Sequence, residues 1–87
     1  MEKQLRALRI EIIASKEVCL EDLRNARNEK EIFRAYYTFR GAMVALRCVN
    51  MEYFRESYNL VTECYETVHR YIFDNIGGDL AISIIYD

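Results

Sequence analysis

The sequence contains no proline, and this feature constrains the fold of the chain more than any other. Proline breaks helices most strongly, and glycine is the next least favourable residue inside a helix. Glycine occurs only at Gly41, Gly77 and Gly78, so helix-breaking residues are nearly absent before residue 77. Turns in the first part of the chain must therefore rely on residues such as asparagine. The composition favours a mainly all-α fold.

The chain is short and unusually apolar for its length. Its 87 residues form one domain at most, and a domain of this size buries only about 60–65% of the surface that its unfolded chain exposes. The apolar fraction is 52%, somewhat above the usual value of about 45–50%. One thin core cannot hide so much apolar surface, so we expect self-association or a partner that covers part of it.

Apolar residues recur at three- and four-residue steps along most of the chain, which predicts three amphipathic helices. The first spans residues 2–26, with a stripe formed by Leu5, Leu8, Ile12, Cys19, Leu20, Leu23 and Ala26. The second spans residues 29–48, with a heptad stripe formed by Ile32, Tyr36, Phe39, Met43 and Leu46. The third spans residues 51–75, with a heptad stripe formed by Phe54, Tyr58, Val61, Tyr65, Val68 and Ile72.

The turns between these helices are predicted from asparagine positions. Residues 25–28 form the first turn, and Asn28 is a good N-cap for the second helix. The stripe then steps by eight residues from Leu46 to Phe54. This step indicates either a turn at residues 49–50, with Asn50 as an N-cap, or one long helix with a skipped residue. We favour the turn, since a helix over residues 29–75 would far exceed the usual length of about 11–12 residues.

The C-terminal tail, residues 79–87, has two interpretations. The Gly77–Gly78 pair is expected to end the third helix, because glycine readily adopts a left-handed C-terminal cap. Large apolar residues then occupy every second position, at Leu80, Ile82, Ile84 and Tyr86, and this alternation favours a strand. Asp79 is equally suited to begin a short fourth helix. The sequence thus predicts a small three-helix bundle with a C-terminal strand or a short fourth helix.

Cysteine usage and the N-terminus point to a cytoplasmic protein. Cys19, Cys48 and Cys64 are odd in number and widely spaced, which is untypical of a secreted disulfide framework. The N-terminal residues contain no long uncharged run, so we expect neither a signal peptide nor a membrane span.

No set of residues with catalytic or metal-binding spacing emerges from the sequence. The only histidine, His69, follows Glu66 in a Glu-x-x-His arrangement, but di-metal helical bundles need two such motifs and further inward glutamates. Cys64 precedes His69 by five residues, which separates them by about 140° around a helix. We therefore expect no metal, no cofactor and no catalytic residue, and interpret the chain as non-enzymatic.

Charge is distributed unevenly along the chain. Residues 1–47 carry ten basic and seven acidic side chains, whereas residues 48–87 carry two basic and seven acidic ones. In the third helix, acidic residues follow the spacing of the apolar stripe on the opposite face and form an acidic edge, defined as Glu52, Glu56, Glu63 and Glu66. A smaller basic ridge consists of Arg27, Lys30 and Arg34. Each group is either a plain solvated surface or a docking surface for an oppositely charged partner.

These patterns favour a small protein that binds and inhibits or modulates another protein. Immunity proteins, antitoxins, phage-encoded inhibitors of host systems and adaptors belong to this class. We expect the acidic edge to contact a basic, nucleic-acid-handling protein, with Leu80, Ile82, Ile84 and Tyr86 of the tail as a second binding element. Tyrosine next to arginine, as at Tyr37 and Arg40, is also typical of binding hot spots.

Two other functions stay open at the level of sequence. The first is a homo-oligomeric structural or chaperone-like protein, in which a homodimer consumes the excess apolar surface. The second is a nucleic-acid-binding regulator that would use Arg40 and Arg47 together with the basic ridge. Direct binding to nucleic acid is the lesser option, because the net charge is −2 and dedicated nucleic-acid binders are more often strongly basic.

Overall fold

A computed structural model describes residues 2–86 as a set of packed helices. The helices are α1 (Lys3–Asn25), α2 (Glu29–Val49), α3 (Met51–Glu56), α4 (Tyr58–Asn75) and α5 (Gly78–Tyr86). The described residues contain no strand, so the all-α prediction is confirmed. The body is elongated, measuring 41 × 21 × 19 Å.

The turn between α1 and α2 is closed by reciprocal hydrogen bonds at the start of α2. The backbone N–H of Glu31 donates to the Asn28 side chain at 3.0 Å, and the Glu31 carboxylate accepts from the backbone N–H of Arg27 at 2.7 Å. The first bond satisfies a donor that the helix cannot satisfy itself, and the second resembles a capping box but reaches the residue before the N-cap. Asn28 is the N-cap, as its position in the sequence predicted.

The core lies between α1, α2 and α4. Its α1 residues are the predicted stripe without Ala26, namely Leu5, Leu8, Ile12, Cys19, Leu20 and Leu23. Its α2 residues are Ala35, Tyr36, Phe39 and Met43, and its α4 residues are Val61, Cys64, Val68 and Ile72. The heptad spacing therefore identified most of the buried positions, since residues seven apart return to nearly the same side of a helix.

The predicted helix over residues 51–75 is interrupted at Ser57, which corrects its boundaries. The Ser57 side chain is 1% exposed, and its hydroxyl has no hydrogen-bond partner among residues 2–86. Ser57 takes the inward position that the heptad stripe assigned to Tyr58, and Tyr58 is instead 67% exposed. The turn before α3 lies at Asn50 as predicted, but the Asn50 side chain donates back to the carbonyl of Leu46 rather than capping α3.

The C-terminal tail forms helix α5, so the strand interpretation is not confirmed. Gly77 connects α4 to α5 with a φ of 118°, a conformation that glycine adopts without the steric cost of a Cβ atom. Ala81 and Ile84 are buried in the core cluster, with Leu80 and Ile85 packed against it. The tail thus folds back onto its own chain. The described part has five helices, whereas the sequence predicted three helices and one C-terminal element.

Candidate protein-binding surfaces

Helices α2 and α4 meet through large rings, which we call the aromatic seam and define as Tyr36, Phe39, Tyr65 and His69. A hydrogen bond of 2.7 Å joins the Tyr36 hydroxyl to Nε2 of His69. The rings of Phe39 and Tyr65 pack edge to face with centroids 5.0 Å apart, and Tyr65 packs against His69 at 5.8 Å. The rings fix the distance between the two helices, because aromatic side chains bring large, rigid surfaces together.

The titratable groups of the seam are held in their neutral forms. Burial lowers the pKa of His69, and the charge of Arg40 lowers it further. Burial also raises the pKa of Tyr36 to about 12. At neutral pH the hydrogen bond between Tyr36 and His69 therefore joins two uncharged groups. Arg40 covers the outside of the seam, with its guanidinium 5.9 Å from the Tyr36 ring and 5.7 Å from the Tyr37 ring.

An open cavity of about 390 Å³ lies beside the seam, between α2 and α4, and we call it the seam groove. Its apolar lining includes Val44, which is 47% exposed, and Tyr58, which is 67% exposed. Arg47 and Glu66 supply charges at opposite walls. Small numbers of polar groups around an apolar depression are typical of sites that receive an anchoring side chain of a partner.

The acidic edge is exposed throughout in the structure. Glu52 and Glu56 lie on α3 and Glu63 and Glu66 lie on α4, so Ser57 divides the edge into two parts. None of these carboxylates forms an ion pair with another residue in the described range 2–86. Glu66 also lines the seam groove. The acidic edge therefore reaches the groove at Glu66.

The basic ridge lies at the other end of α2 from the acidic residues of α3. Arg27 belongs to the turn before α2, and Lys30 and Arg34 lie in its first two turns. Helix α2 has 21 residues, which corresponds to a length of about 30 Å at ~1.5 Å per residue. All three basic side chains are exposed. The structure does not bring the ridge to the α3 part of the acidic edge within one molecule.

The tail residues predicted to contact a partner differ in accessibility. Ile84 is fully buried in the core of its own chain, and Leu80 is partly buried. Ile82 is exposed on the outer side of α5. The side chain of Tyr86 lies outside the described residues. Of these positions, Ile82 is the one whose side chain the structure shows on the surface, and its role in binding stays a prediction.

Cysteine and histidine side chains are separated by the fold. His69 contacts Tyr36 through Nε2, while Cys64 is buried in the core and burial raises the pKa of its thiol. Cys19 is also buried, with a pKa raised to about 12, and its thiol lies 3.7 Å from the carbonyl oxygen of Ala35. Within residues 2–86, no group of three or more histidine, cysteine or acidic side chains is arranged to hold a metal ion.

Comparison with known proteins identifies no relative of this chain. No family model, curated protein or solved structure matches it significantly. In the described part of the chain, no helix has both the length and the apolar character needed to cross a membrane. The functional interpretation therefore depends on the surfaces described above.

Sequence reasoning identified the acidic edge but missed the seam groove. Tyr58 was assigned to the core by its heptad position, and the interruption at Ser57 turns it outward. Val44 is not a member of the predicted heptad stripe of α2. The available signal was the pairing of tyrosine and arginine at Tyr37 and Arg40, which lie next to the seam.

Proposed function

We propose that this protein acts by binding another protein stoichiometrically, as inhibitors, immunity proteins, antitoxins and adaptors do. The observation that carries the proposal is the seam groove with its exposed Val44 and Tyr58. The acidic edge, whose carboxylates form no ion pair among residues 2–86, borders this groove at Glu66. Exposed apolar side chains beside charged residues resemble the centre and rim of a protein interface.

The chemistry of this surface favours a partner segment with an apolar anchor and basic flanks. The anchor would enter the groove between α2 and α4, as amphipathic helices enter the grooves of their receptors. Lysine or arginine residues beside the anchor would then approach Glu63 and Glu66. Charges at the rim mainly accelerate association and set its dependence on salt, whereas the buried anchor supplies most of the affinity. A basic, nucleic-acid-handling protein fits this description.

Affinity capture from a lysate of the source organism tests the proposal. We expect the wild-type chain to retain one protein at equimolar ratio, and Val44→Asp to lose it, because a carboxylate would be placed in the apolar groove. Met51→Asp is a matched control, since Met51 is exposed and does not line the groove. Equal capture by wild type, Val44→Asp and Met51→Asp would contradict the proposal, as would capture of nothing by the wild type.

The acidic edge is tested with the captured partner in kinetic measurements. Glu56→Ala and Glu63→Ala should each change the free energy of unfolding by no more than about 0.5 kcal/mol, because both side chains are exposed. Reversing both to lysine should slow association and weaken its dependence on salt. Unchanged association kinetics in the doubly reversed variant would make this edge a plain solvated surface.

The alternative function, a homo-oligomeric structural or chaperone-like protein, is favoured by a separate observation. Helix α1 exposes Ile10 and Val18 on the side that faces away from the core. This surface is distinct from the seam groove, because no residue of α1 lines that groove. The two functions can therefore be tested independently of one another.

A further inference from the structure

A second heptad stripe follows the outer side of α1, where every one of its side chains is exposed. The members of this outer stripe are Lys3, Ala7, Ile10, Ala14, Glu17 and Glu21, spaced alternately by four and three residues. Ile10 is 61% exposed, and Val18, which lies beside the stripe, is 57% exposed. A heptad stripe with an apolar centre is the pattern of a helix that packs along another helix.

A cavity of about 350 Å³ continues this surface from α1 onto α2. On the α1 side it is lined by Ile10, Ala14 and Val18, and on the α2 side by the buried Ala35 and Phe39 and by the more accessible Thr38 and Ala42. Thr38 and Ala42 are small enough to let the backbone of an incoming helix approach closely, while Ile10 and Val18 provide apolar area. The outer face of the α1–α2 pair is thus shaped to receive further helices.

We propose that the outer face of α1 and α2 binds a second copy of this chain, with the two α1 helices antiparallel. The reason is the charge order of the outer stripe, which is basic at one end and acidic at the other. Pairing Ile10 with Ala14 of the second copy places Lys3 opposite Glu21 of the second copy. A parallel pair would place Lys3 against Lys3 and Glu21 against Glu21, which is unfavourable.

The same twofold axis suits α2. Ala42 lines the cavity together with Ile10 and Ala14, and the proposed axis would bring it towards Ala42 of the second copy. Small residues at this position permit close packing of the two α2 helices. A single twofold axis therefore pairs the apolar centre of this face with itself and its basic end with its acidic end. A symmetric interface must be self-complementary in this way.

The length of the molecule sets the area that such a dimer would bury. The molecule is 41 Å long and 21 × 19 Å across. An interface along its long side would bury on the order of 800 Å² per copy, as standard stable interfaces do. The charges at the acidic end already have local partners, since Glu21 pairs with Arg24 at 3.0 Å and Glu17 with Lys16 at 3.1 Å. The intermolecular charges consequently determine orientation more than affinity.

The mass of the purified chain in solution tests the dimer. Sedimentation equilibrium should give twice the chain mass of 10.4 kDa at a concentration of about 10 µM, which corresponds to a Kd in the micromolar range or below. Ile10→Asp should give a monomer with an unchanged helical circular dichroism spectrum, because the side chain is exposed. Met51→Asp, the matched control, should remain dimeric. A monomeric wild type at about 100 µM, or a dimeric Ile10→Asp variant, would overturn the proposal.

Charge reversal tests the antiparallel register. Lys3→Glu and Glu21→Lys should each weaken the dimer by about fivefold or more, since each places like charges opposite one another at two symmetric positions. The double variant restores opposite charges and should recover dimerisation to within about twofold of the wild type. Absence of recovery refutes this register. Val44→Asp, which tests the seam groove, should leave the mass of the dimer unchanged. Failure of the dimer proposal and failure of the proposed partner binding are therefore recognised separately.

Discussion

The two sides of the bundle differ in chemistry although both belong to one small core. Where α1 packs against α2 and α4, the buried residues are mainly aliphatic, and Ile12 and Val68 are completely inaccessible. Where α2 and α4 face each other, the aromatic seam brings a hydroxyl and an imidazole together at 2.7 Å. The seam opens into a groove that contains charged and exposed residues and that no residue of α1 lines.

This difference indicates that the two sides serve different purposes. Aliphatic packing contributes stability roughly in proportion to the apolar area removed from water, and it has no directional requirement. Aromatic rings with polar atoms need specific partners, and they keep neighbouring helices far enough apart to leave a depression. We therefore expect substitutions on the aliphatic side to affect stability most, and substitutions in the seam groove to affect binding most.

The largest effect is expected from removing residues 79–87, because residues 80–85 close the core at one end. Ile84 is fully buried, and Leu80 and Ile85 pack against the core cluster. Each large side chain that is fully buried contributes about 1.5–3 kcal/mol, so the loss should exceed about 3 kcal/mol and strongly lower the Tm. A thermal melt of the truncated chain measures this effect. An unchanged Tm with lost partner binding would instead make the tail a binding element and reverse our assignment of α5.

The next largest effect on stability is expected at a buried isoleucine of α1, in comparison with an exposed one. Ile12 is inaccessible in the core, whereas Ile10 is 61% exposed. Ile12→Ala should lower the free energy of unfolding by about 2–5 kcal/mol, since it removes buried methyl groups and leaves a cavity. Ile10→Ala should lower it by less than about 0.5 kcal/mol when measured on the monomer. Urea denaturation at a protein concentration below the dimer Kd measures the free energy of unfolding of both variants. Similar losses of this free energy in the two variants would show that the outer stripe belongs to the core.

The sequence predicts the aliphatic side better than the aromatic seam for a physical reason. The buried residues of α1 follow directly from the spacing of leucine and isoleucine, because burial of aliphatic residues depends on helical phase alone. The interruption at Ser57 changes this phase, and no proline or glycine marks it. Tyr58 therefore moves from a predicted core position to the rim of the seam groove, where only the tertiary structure places it.

The candidate surfaces show the same limit. The acidic edge was predictable because exposed charges opposite an apolar stripe follow from the helical period alone. The contact between Tyr36 and His69 joins residues that are 33 positions apart on different helices, and no local pattern in a single sequence encodes such a contact. The tail was predicted to be a strand or a short helix, and the helical form is the one that places Ala81 and Ile84 in the core together.

The smallest effect we predict is a pH dependence that arises in the seam and not on the aliphatic side. The pKa of His69 in the folded protein is below its ordinary value of 6.5, because burial and the positive charge of Arg40 disfavour the imidazolium ion. The unfolded chain, with a His69 pKa of about 6.5, therefore binds the proton more readily than the folded chain. Stability from this group is complete above about pH 6.5, and it declines as the pH falls through the lower pKa of the folded state.

Urea denaturation of the wild type and His69→Gln isolates this contribution. The wild type should lose stability between about pH 7.5 and pH 5.5, whereas His69→Gln should change little over this interval, because carboxylates titrate mainly near pH 4. The aliphatic side adds no dependence here, since burial raises the pKa of Cys19 to about 12. Parallel pH profiles for the two proteins would mean that His69 is solvated equally in the folded and unfolded states. The seam would then be open to water, and burial would not hold the imidazole in its neutral form.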